Sequence, residues 1–504
     1  MAGKVYIIGA GPGDHKLITF KAAECIGKAD VIVYDRLVNK RVLKFAKKDA
    51  ELVYAGKSAG LHSMSQDEIN DILVKKAKEG KIVARVKGGD PFLFGRGGEE
   101  AECSRENGIE FEVVPGITSA VAVPAYAGIP VTHRDYCSSL HIITGHETPD
   151  KDGSKLDYEV LAKLEGTLVF LMGLKNLKKI SESLIKYGKD KNNPVAVIEK
   201  GTTTEQKIVE GTLETIVQNC ESAEISSPAV IVIGAVADLK EKLGWFPKGK
   251  LAGKKVLVTR PEEQADSFVQ KIEELGGNAL EVPVITIDEY DDYTELDKAL
   301  DNIKDYSWLA FTSSNGVRVF FKRLKERRLD IRILHNIKIC AIGTSTASEL
   351  YNLGLNVEYI PDEYTTAALL EGLRKLLKQG EKLLLARAYV EDDEFVKGLN
   401  ELKIEYKNVP VYRAVTNWAA KDEMLQILKE RDLDFITFTS PSTVRSFVEI
   451  MGNGNIDILK EAKVVCIGPV TAKAAGEHGF KIDGVADVHT IDGLLDKMVQ
   501  IVEG

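Results

Sequence analysis

Short apolar, β-branched runs recur along this chain, and most of them end in glycine, a hydroxyl residue or a charge before a helix-like stretch begins. Val5 to Ala10 runs into Gly9, Gly11, Pro12, Gly13 and Asp14, and Ala29 to Val33 into Tyr34, Asp35, Arg36 and Leu37. Ile82 to Val86 breaks into Gly88, Gly89, Asp90 and Pro91. The pattern returns at Glu112 to Ala120 (EVVPGITSA), Leu168 to Gly173, Val195 to Gly201 and Ala229 to Ala235. Strands alternating with helical segments predict an α/β architecture.

Composition narrows the function classes. With 504 residues, 44% hydrophobic and 28% charged, the chain reads as soluble globular protein, roughly three domains by length. A net charge of -9 argues against nonspecific nucleic-acid or anionic-membrane binding. The six cysteines are dispersed, with no C-x-x-C or Cys/His spacing, which opposes a zinc site or a disulfide framework. No apolar run approaches the ~18 to 20 residues of a membrane-spanning helix, and MAGKVYIIGAGPGD has neither the basic start nor the cleavage site of a signal peptide. The expected compartment is the cytosol.

The stretch from Lys81 to Glu100, KIVARVKGGDPFLFGRGGEE, concentrates the site signals. Two glycine clusters within one loop's length suggest a backbone that turns sharply and lets something approach it, since glycine takes positive φ without steric cost. The plainer reading is a tight turn with Asp90 as a cap. Asp35, just past a strand end, is a common site position in an α/β sheet and equally a helix cap. Lys57 lies in the small-residue loop YAGKSAGLH, Thr118 and Ser119 offer hydroxyls, and AYAGIPVTHRDY ends in His133, Arg134 and Asp135. GAGPGD imitates a dinucleotide fingerprint, but Pro12 lacks the N–H that a pyrophosphate needs, so NAD binding is disfavoured.

GAGPGD, YDRLV, GKSAG, RVKGGDPFLFGRGGEE, VVPGITSA and AGIPVTHRDY, in this order and at these spacings, resemble the uroporphyrinogen-III C-methyltransferases over residues 1–244. The resemblance implies a tetrapyrrole-methylase fold of two α/β subdomains that binds S-adenosylmethionine and releases S-adenosylhomocysteine, with no metal. It places the cofactor contacts on Pro12, Gly88, Gly89, Asp90, Leu93, Thr118, Ser119, Met172 and Gly201, with Ser119 where the family usually has alanine. It also implies Asp35 as proton acceptor, Lys57 as proton donor, and a homodimer formed through this half. Such chemistry suits these residue types: an electron-rich pyrrole carbon attacks a sulfonium methyl, and a carboxylate can then take a proton from the cationic macrocycle. A polycarboxylate substrate calls for arginines, and Arg85, Arg96 and Arg134 are the candidates, each with a structural ion pair as the alternative.

Between Asp238 and Lys255 the sequence turns charged and glycine-interrupted, and residues 245–251 read as a linker. Beyond it the chain repeats itself: KVLVTR from Lys255 matches KLLLAR from Lys382, VPVITI from Val282 matches VPVYRA from Val409, and Phe311-Thr312-Ser313 matches Phe438-Thr439-Ser440, each 127 residues on. Thr365 matches Thr490, 125 residues on. Two copies point to a bilobed domain with a cleft rather than a solenoid. The hydroxyl-rich turns FTSSNGV, AIGTSTA, FTSPSTV and IGPVTA each predict a helix start, where the same N–H groups serve a cap or an anion.

Residues 252–504 resemble uroporphyrinogen-III synthase through VLVTRP, FTSSNGV, the Thr365-Thr366 turn, VPVYR, FTSPS and IGPVTA. That resemblance implies two flavodoxin-like lobes, about 252–285 plus 412–504 and about 286–411, joined by a two-stranded ladder. It implies closure of hydroxymethylbilane with inversion of the last ring, with Tyr412 donating a proton to the leaving hydroxide. The repeat places Ile285 at the counterpart of Tyr412, so the fold itself does not need a phenol there. Arg260, Thr312, Ser313, Thr365, Ser440 and Thr471 are candidate carboxylate contacts. The expectation is a bifunctional enzyme acting on small-molecule tetrapyrroles, with sirohaem-type oxidation and metal insertion left to other proteins. Alternatives of other classes are a tetrapyrrole-binding sensor, a methylase of a later corrin precursor and an NAD-dependent oxidoreductase.

Overall fold

In the first half, strands β1 (Lys4–Gly9), β2 (Val31–Tyr34), β3 (Glu51–Tyr54), β4 (Ile82–Lys87) and β5 (Glu110–Val114) form one sheet in the order β3-β2-β4-β1-β5. All its neighbours are parallel. A parallel sheet is covered on both faces, which is why its central strands read as continuous apolar runs. Val5, Ile7 and Ile8 are fully buried, as are Val31, Ile32 and Val33. The helix Phe20–Lys28 covers one face through Ala22, Cys25 and Ile26. The helix Gln66–Lys78, opened by a capping box between Ser65 and Glu68, covers the other through Ile69, Leu73 and Ala77.

A second, mixed sheet follows: β6 (Leu140–Thr144), β7 (Thr167–Leu171), β8 (Pro194–Glu199), β9 (Lys207–Thr212) and β10 (Ala229–Ile233), ordered β6-β7-β10-β8-β9. Here β10 runs antiparallel to both β7 and β8. This is a computed structural model that describes residues 3–56, 64–146, 156–246, 249–290, 292–389, 394–401, 404–429, 433–452 and 461–504. The chain divides into two compact units, Met1–Lys248 and Gly249–Gly504.

The division falls inside the stretch that reads as a linker, but parts of that stretch are packed. Trp245 and Phe246 stack on Tyr126, each with ring centroids 4.9 Å from it, and Trp245 Nε1 donates to the Ala125 carbonyl. Leu251 is fully buried in the core of the second unit.

The second unit carries β11 (Lys255–Val258), β12 (Asn278–Glu281), β13 (Ile285–Glu289), β14 (Trp308–Phe311), β15 (Lys338–Ala341), β16 (Lys382–Ala388), β17 (Glu405–Thr416), β18 (Phe435–Phe438), β19 (Lys463–Cys466) and β20 (Ile482–Val485). They form two sheets, β12-β11-β18-β19-β20 and β13-β17-β16-β14-β15. The sequence repeats are not the lobes. The first sheet takes β11 and β12 from the first repeat and β18 to β20 from the second, while the other pairs β14 and β15 of the first repeat with β16 and β17 of the second.

Strand β17 makes the exchange possible. Its first part runs parallel to β16, and its last residues pair antiparallel with β13, Ile285 opposite Thr416 and Glu289 opposite Tyr412. At the centre, Ile287 faces Ala414, its own counterpart 127 residues on, so the ladder has local two-fold symmetry. Ile287 also packs against the cores of both lobes.

Candidate functional site

In the first unit, the loops after β1, β4 and β5 meet backbone to backbone. Gly11 and Gly89 form an isolated bridge, with the Gly89 N–H donating to the Gly11 carbonyl at 2.6 Å. A Cβ on Gly9 would lie 2.6 Å from the Gly116 Cα, and one on Gly116 would lie 2.3 Å from the Gly89 carbonyl oxygen. Side chains at either position would push these loops apart.

The predicted glycines divide into two kinds. Gly89 has φ +70°, and a Cβ there would meet nothing within 4 Å, so its backbone faces open space. Gly88 and Gly201 are instead required by packing: their Cβ atoms would lie 2.7 Å from Leu37 and 2.3 Å from Val123. Asp90 shapes the loop. Its Oδ1 accepts from Phe92 N and Leu93 N, and its Oδ2 accepts from Gly116 N at 3.0 Å, which ties the β4 loop to the β5 loop.

The second sheet closes the arrangement. Thr202, beside Gly201, accepts from Asp14 N, and Tyr126 donates to the Asp14 carboxylate at 2.8 Å. Leu93 packs on a core shared by Val123, Leu171 and Ile198. Thr118 caps the helix Ser119–Tyr126, and Met172 is 52% exposed at the end of β7. Among the described residues seven non-glycine positions have left-handed φ, and five of them (Phe94, Arg96, Met172, Lys200 and Thr202) lie in these loops. Such conformations cost about 1–3 kcal/mol each and persist where the surroundings enforce them, commonly at ligand sites.

Asp35 sits at the end of β2 with its side chain 26% exposed. Its Oδ1 accepts from Leu37 N, and its Oδ2 lies 3.4 Å from Arg85 Nη2. Lys57 lies outside the described residues.

The three candidate arginines divide by burial. Arg85 is 3% exposed and donates to Glu100 and to the carbonyls of Val33 and Val86, so it is a buried ion-pair residue and not a substrate contact. Arg96 makes a two-pronged pair with Glu99 on the surface, and Arg134 is exposed. The partner of Arg85, Glu100, was not evident from the sequence. The available signal was the alternation Val83-Arg85-Lys87, which puts both cations on one face of a buried strand.

In the second unit, the candidate hydroxyls gather at the carboxyl ends of parallel strands. Ser313 caps Ser314–Glu326, Thr365 caps Thr366–Leu376, Ser440 caps Pro441–Met451 and Thr490 caps Ile491–Glu503. The helices Thr344–Asn352 and Pro469–Glu477 begin instead at Gly343 and Gly468, with no side-chain cap. Thr312 is half-buried beside Ser313. Thr471 is 3% exposed, so it packs inside the protein, contrary to its expected place among the carboxylate contacts. Arg260 donates to Gln264, and burial lowers its pKa to about 10.

Tyr412 is 6% exposed, and its hydroxyl lies 2.8 Å from Ser313 Oγ. Burial raises the phenol pKa, partly opposed by hydrogen bonds from Ser313 and Asn315 and by the charge of Arg387. The phenol is therefore held protonated near neutrality.

Two α/β units, one with glycine loops tied together by a carboxylate and one with two sheets and a buried phenol beside the Ser313 helix start, define the class: a methylase-type half followed by a bilobed synthase-type half. Residues 4–217 match the family described as Tetrapyrrole (Corrin/Porphyrin) Methylases, and residues 266–496 match Uroporphyrinogen-III synthase HemD. The chain is 42% identical over 506 residues to the porphyrin biosynthesis protein HemD of Ruminiclostridium josui, spanning 100% of this chain and 99% of that protein. It is 36% identical over 483 residues to a uroporphyrinogen-III C-methyltransferase of Bacillus subtilis (strain 168), spanning 95% and 94%. The first half is 55% identical over 242 residues, 48% of this chain and 95% of the relative, to an S-adenosyl-L-methionine-dependent uroporphyrinogen III methyltransferase of Methanosarcina barkeri. The chain belongs to the family of fused uroporphyrinogen-III C-methyltransferase and uroporphyrinogen-III synthase proteins.

Among the described residues, no group of three or more His, Cys, Asp or Glu side chains is placed to hold a metal ion. All six cysteines are free, and no described helix is long and apolar enough to cross a membrane.

Proposed function

We propose that the second half closes hydroxymethylbilane to uroporphyrinogen III with inversion of the last ring, and that the first half methylates this product twice to precorrin-2. The observation that carries this reading is similarity along the whole chain to proteins named for tetrapyrrole synthesis, together with a separate family match in each half. The domains are then 1–244 and 252–504, joined at 245–251, and the first half forms the homodimer.

The converging loops form the cradle for S-adenosylmethionine in this reading. Gly89 presents backbone to open space, Asp90 shapes the loop beneath it, and Pro12, Leu93, Thr118, Ser119, Met172 and Gly201 lie in or beside the converging loops. When bound, S-adenosylmethionine supplies an electrophilic methyl group on a sulfonium sulfur. Asp35 takes the proton released as the methylated ring returns to neutrality, as a partly exposed carboxylate at a strand end whose neighbour Leu37 packs on Gly88. Arg96 and Arg134 are exposed cations available to substrate carboxylates.

In the second half, Tyr412 donates its proton to the departing hydroxide, and the resulting cationic bilane is reactive enough that folding the chain supplies most of the remaining rate. The helix starts at Ser313, Gly343, Thr365, Ser440 and Gly468 offer N–H groups to its carboxylates.

The test is to supply hydroxymethylbilane with and without S-adenosylmethionine and identify products by chromatography and mass. Formation of isomer III and then a doubly methylated product is expected. Isomer I alone would refute the synthase reading, and isomer III without methylation would refute the methylase reading.

A further inference from the structure

Three charged groups beside Asp35 have no part in the chemistry above, and all are buried. Arg85 is 3% exposed, Lys87 5% and Glu100 0%. Strand alternation puts Val83, Arg85 and Lys87 on one face of β4, against the helices Gln66–Lys78 and Gly97–Glu106. Glu100 Oε1 accepts from Lys87 Nζ at 2.7 Å, Arg85 Nε at 3.0 Å and Gln66 Nε2 at 3.2 Å. Its Oε2 is buried without a hydrogen-bond partner among the described residues.

Two cations and two carboxylates thus compensate one another, the condition under which buried charge is tolerated. The distances within the cluster are unequal. Arg85 lies 3.0 Å from Glu100 but 3.4 Å from Asp35. An arginine facing a single carboxylate closes on it in a short, two-pronged pair. Here Glu100 competes for the guanidinium and keeps that pair with Asp35 long. Lys87, whose pKa is lowered by burial and then by the charge of Arg85, needs the same carboxylate.

We propose that Glu100 is a positioning residue for methylation: it holds Arg85 back from Asp35 and so keeps the Asp35 carboxylate available to accept a proton. This rests on Asp35 as the proton acceptor. Without the charge of Glu100, Arg85 closes on Asp35 and occupies the Oδ2 lone pair that takes the proton.

The test uses the full chain and measures single-turnover methylation of uroporphyrinogen III, S-adenosylhomocysteine affinity, and cyclisation as a control for the other half. Glu100→Gln lowers the methylation rate about tenfold while the KM for S-adenosylmethionine stays within about twofold. Glu100→Asp recovers part of the rate, and Glu100→Gln added to Asp35→Asn changes the residual rate less than about twofold, because the two act through one group. A wild-type rate in Glu100→Gln, or a full further loss in the Asp35→Asn background, overturns the inference. Should Glu100→Gln lose S-adenosylhomocysteine binding, the double variant Lys87→Met with Glu100→Gln removes one charge of each sign. It is expected to bind S-adenosylhomocysteine yet methylate about tenfold slowly, and a wild-type rate there also overturns the inference. A wild-type rate in Asp35→Asn would overturn the acceptor reading itself. An impaired Asp35→Asn with an unimpaired Glu100→Gln would overturn the Glu100 inference alone.

Discussion

The proposed proton acceptor of the first half and the proposed proton donor of the second sit in opposite environments. Asp35 ends a strand with a quarter of its side chain exposed, 3.4 Å from the Arg85 guanidinium. Tyr412 is buried beneath hydroxyl and amide partners, with its pKa raised so that the phenol stays neutral. A group that must take a proton is kept partly solvated, and a group that must give one is kept dry. Asp35 follows the end of the parallel strand β2, and Tyr412 lies within β17 where it begins to pair antiparallel with β13, so both position and burial separate their roles.

The largest test of this contrast is Asp35→Asn, expected to cost at least about a hundredfold in methylation and nothing in cyclisation, measured on one preparation. Equal losses in both would break the contrast and indicate misfolding. Tyr412→Phe is expected to slow cyclisation about ten- to a hundredfold with methylation intact. Unchanged cyclisation would make Tyr412 a packing residue, like its repeat counterpart Ile285.

The pH dependence sharpens the same comparison. A donor is lost only as pH rises through its folded pKa, and burial moves that value of Tyr412 above the usual phenol value of about 10. The Tyr412 contribution to cyclisation should therefore be flat from about pH 7 to 9. A loss centred near neutrality would require a different donor.

Glycine substitutions separate packing from ligand approach. Gly116→Ala drives a Cβ into the Gly89 carbonyl and should destabilise the first unit by about 1–3 kcal/mol, read by thermal melting. Gly89→Ala meets no neighbour and should cost only about 1 kcal/mol through its positive φ while weakening S-adenosylmethionine binding. A Gly89→Ala protein with unchanged affinity would remove that loop from the cofactor site. The smallest effect is expected for Arg96→Ala, whose half-exposed pair with Glu99 is worth less than about 1 kcal/mol. A raised KM for the tetrapyrrole would assign Arg96 to the substrate.

Much of the fold was legible because buried parallel strands leave continuous apolar runs, and hydroxyls before helices mark their starts. Ser313, Thr365 and Ser440 cap as their turns predict. Local signals were weaker guides to depth. Thr471 and Arg85 carry polar groups suited to a ligand, yet each is buried; nothing within its own turn distinguishes that for Thr471, and for Arg85 only the alternation along β4 does. Gly88, Gly89 and Gly201 look alike as residues, and only the neighbours Leu37 and Val123 reveal which two are glycine for packing.

The order of residues alone determined the α/β class, the two-part organisation, the repeat in the second half and the candidate carboxylate and phenol. The first three depend on periodicity and spacing along the chain, and the roles of Asp35 and Tyr412 on the resemblance that the ordered motifs carry. Tertiary structure alone decided which residues pair where the chain crosses between the lobes, because Ile285 to Glu289 of β13 meet Tyr412 to Thr416 of β17, more than a hundred positions on. It also decided that Arg85, Lys87 and Glu100 form one buried cluster behind Asp35. Charges enter a core only where opposite charges from other elements meet them, and that meeting is a property of three-dimensional packing.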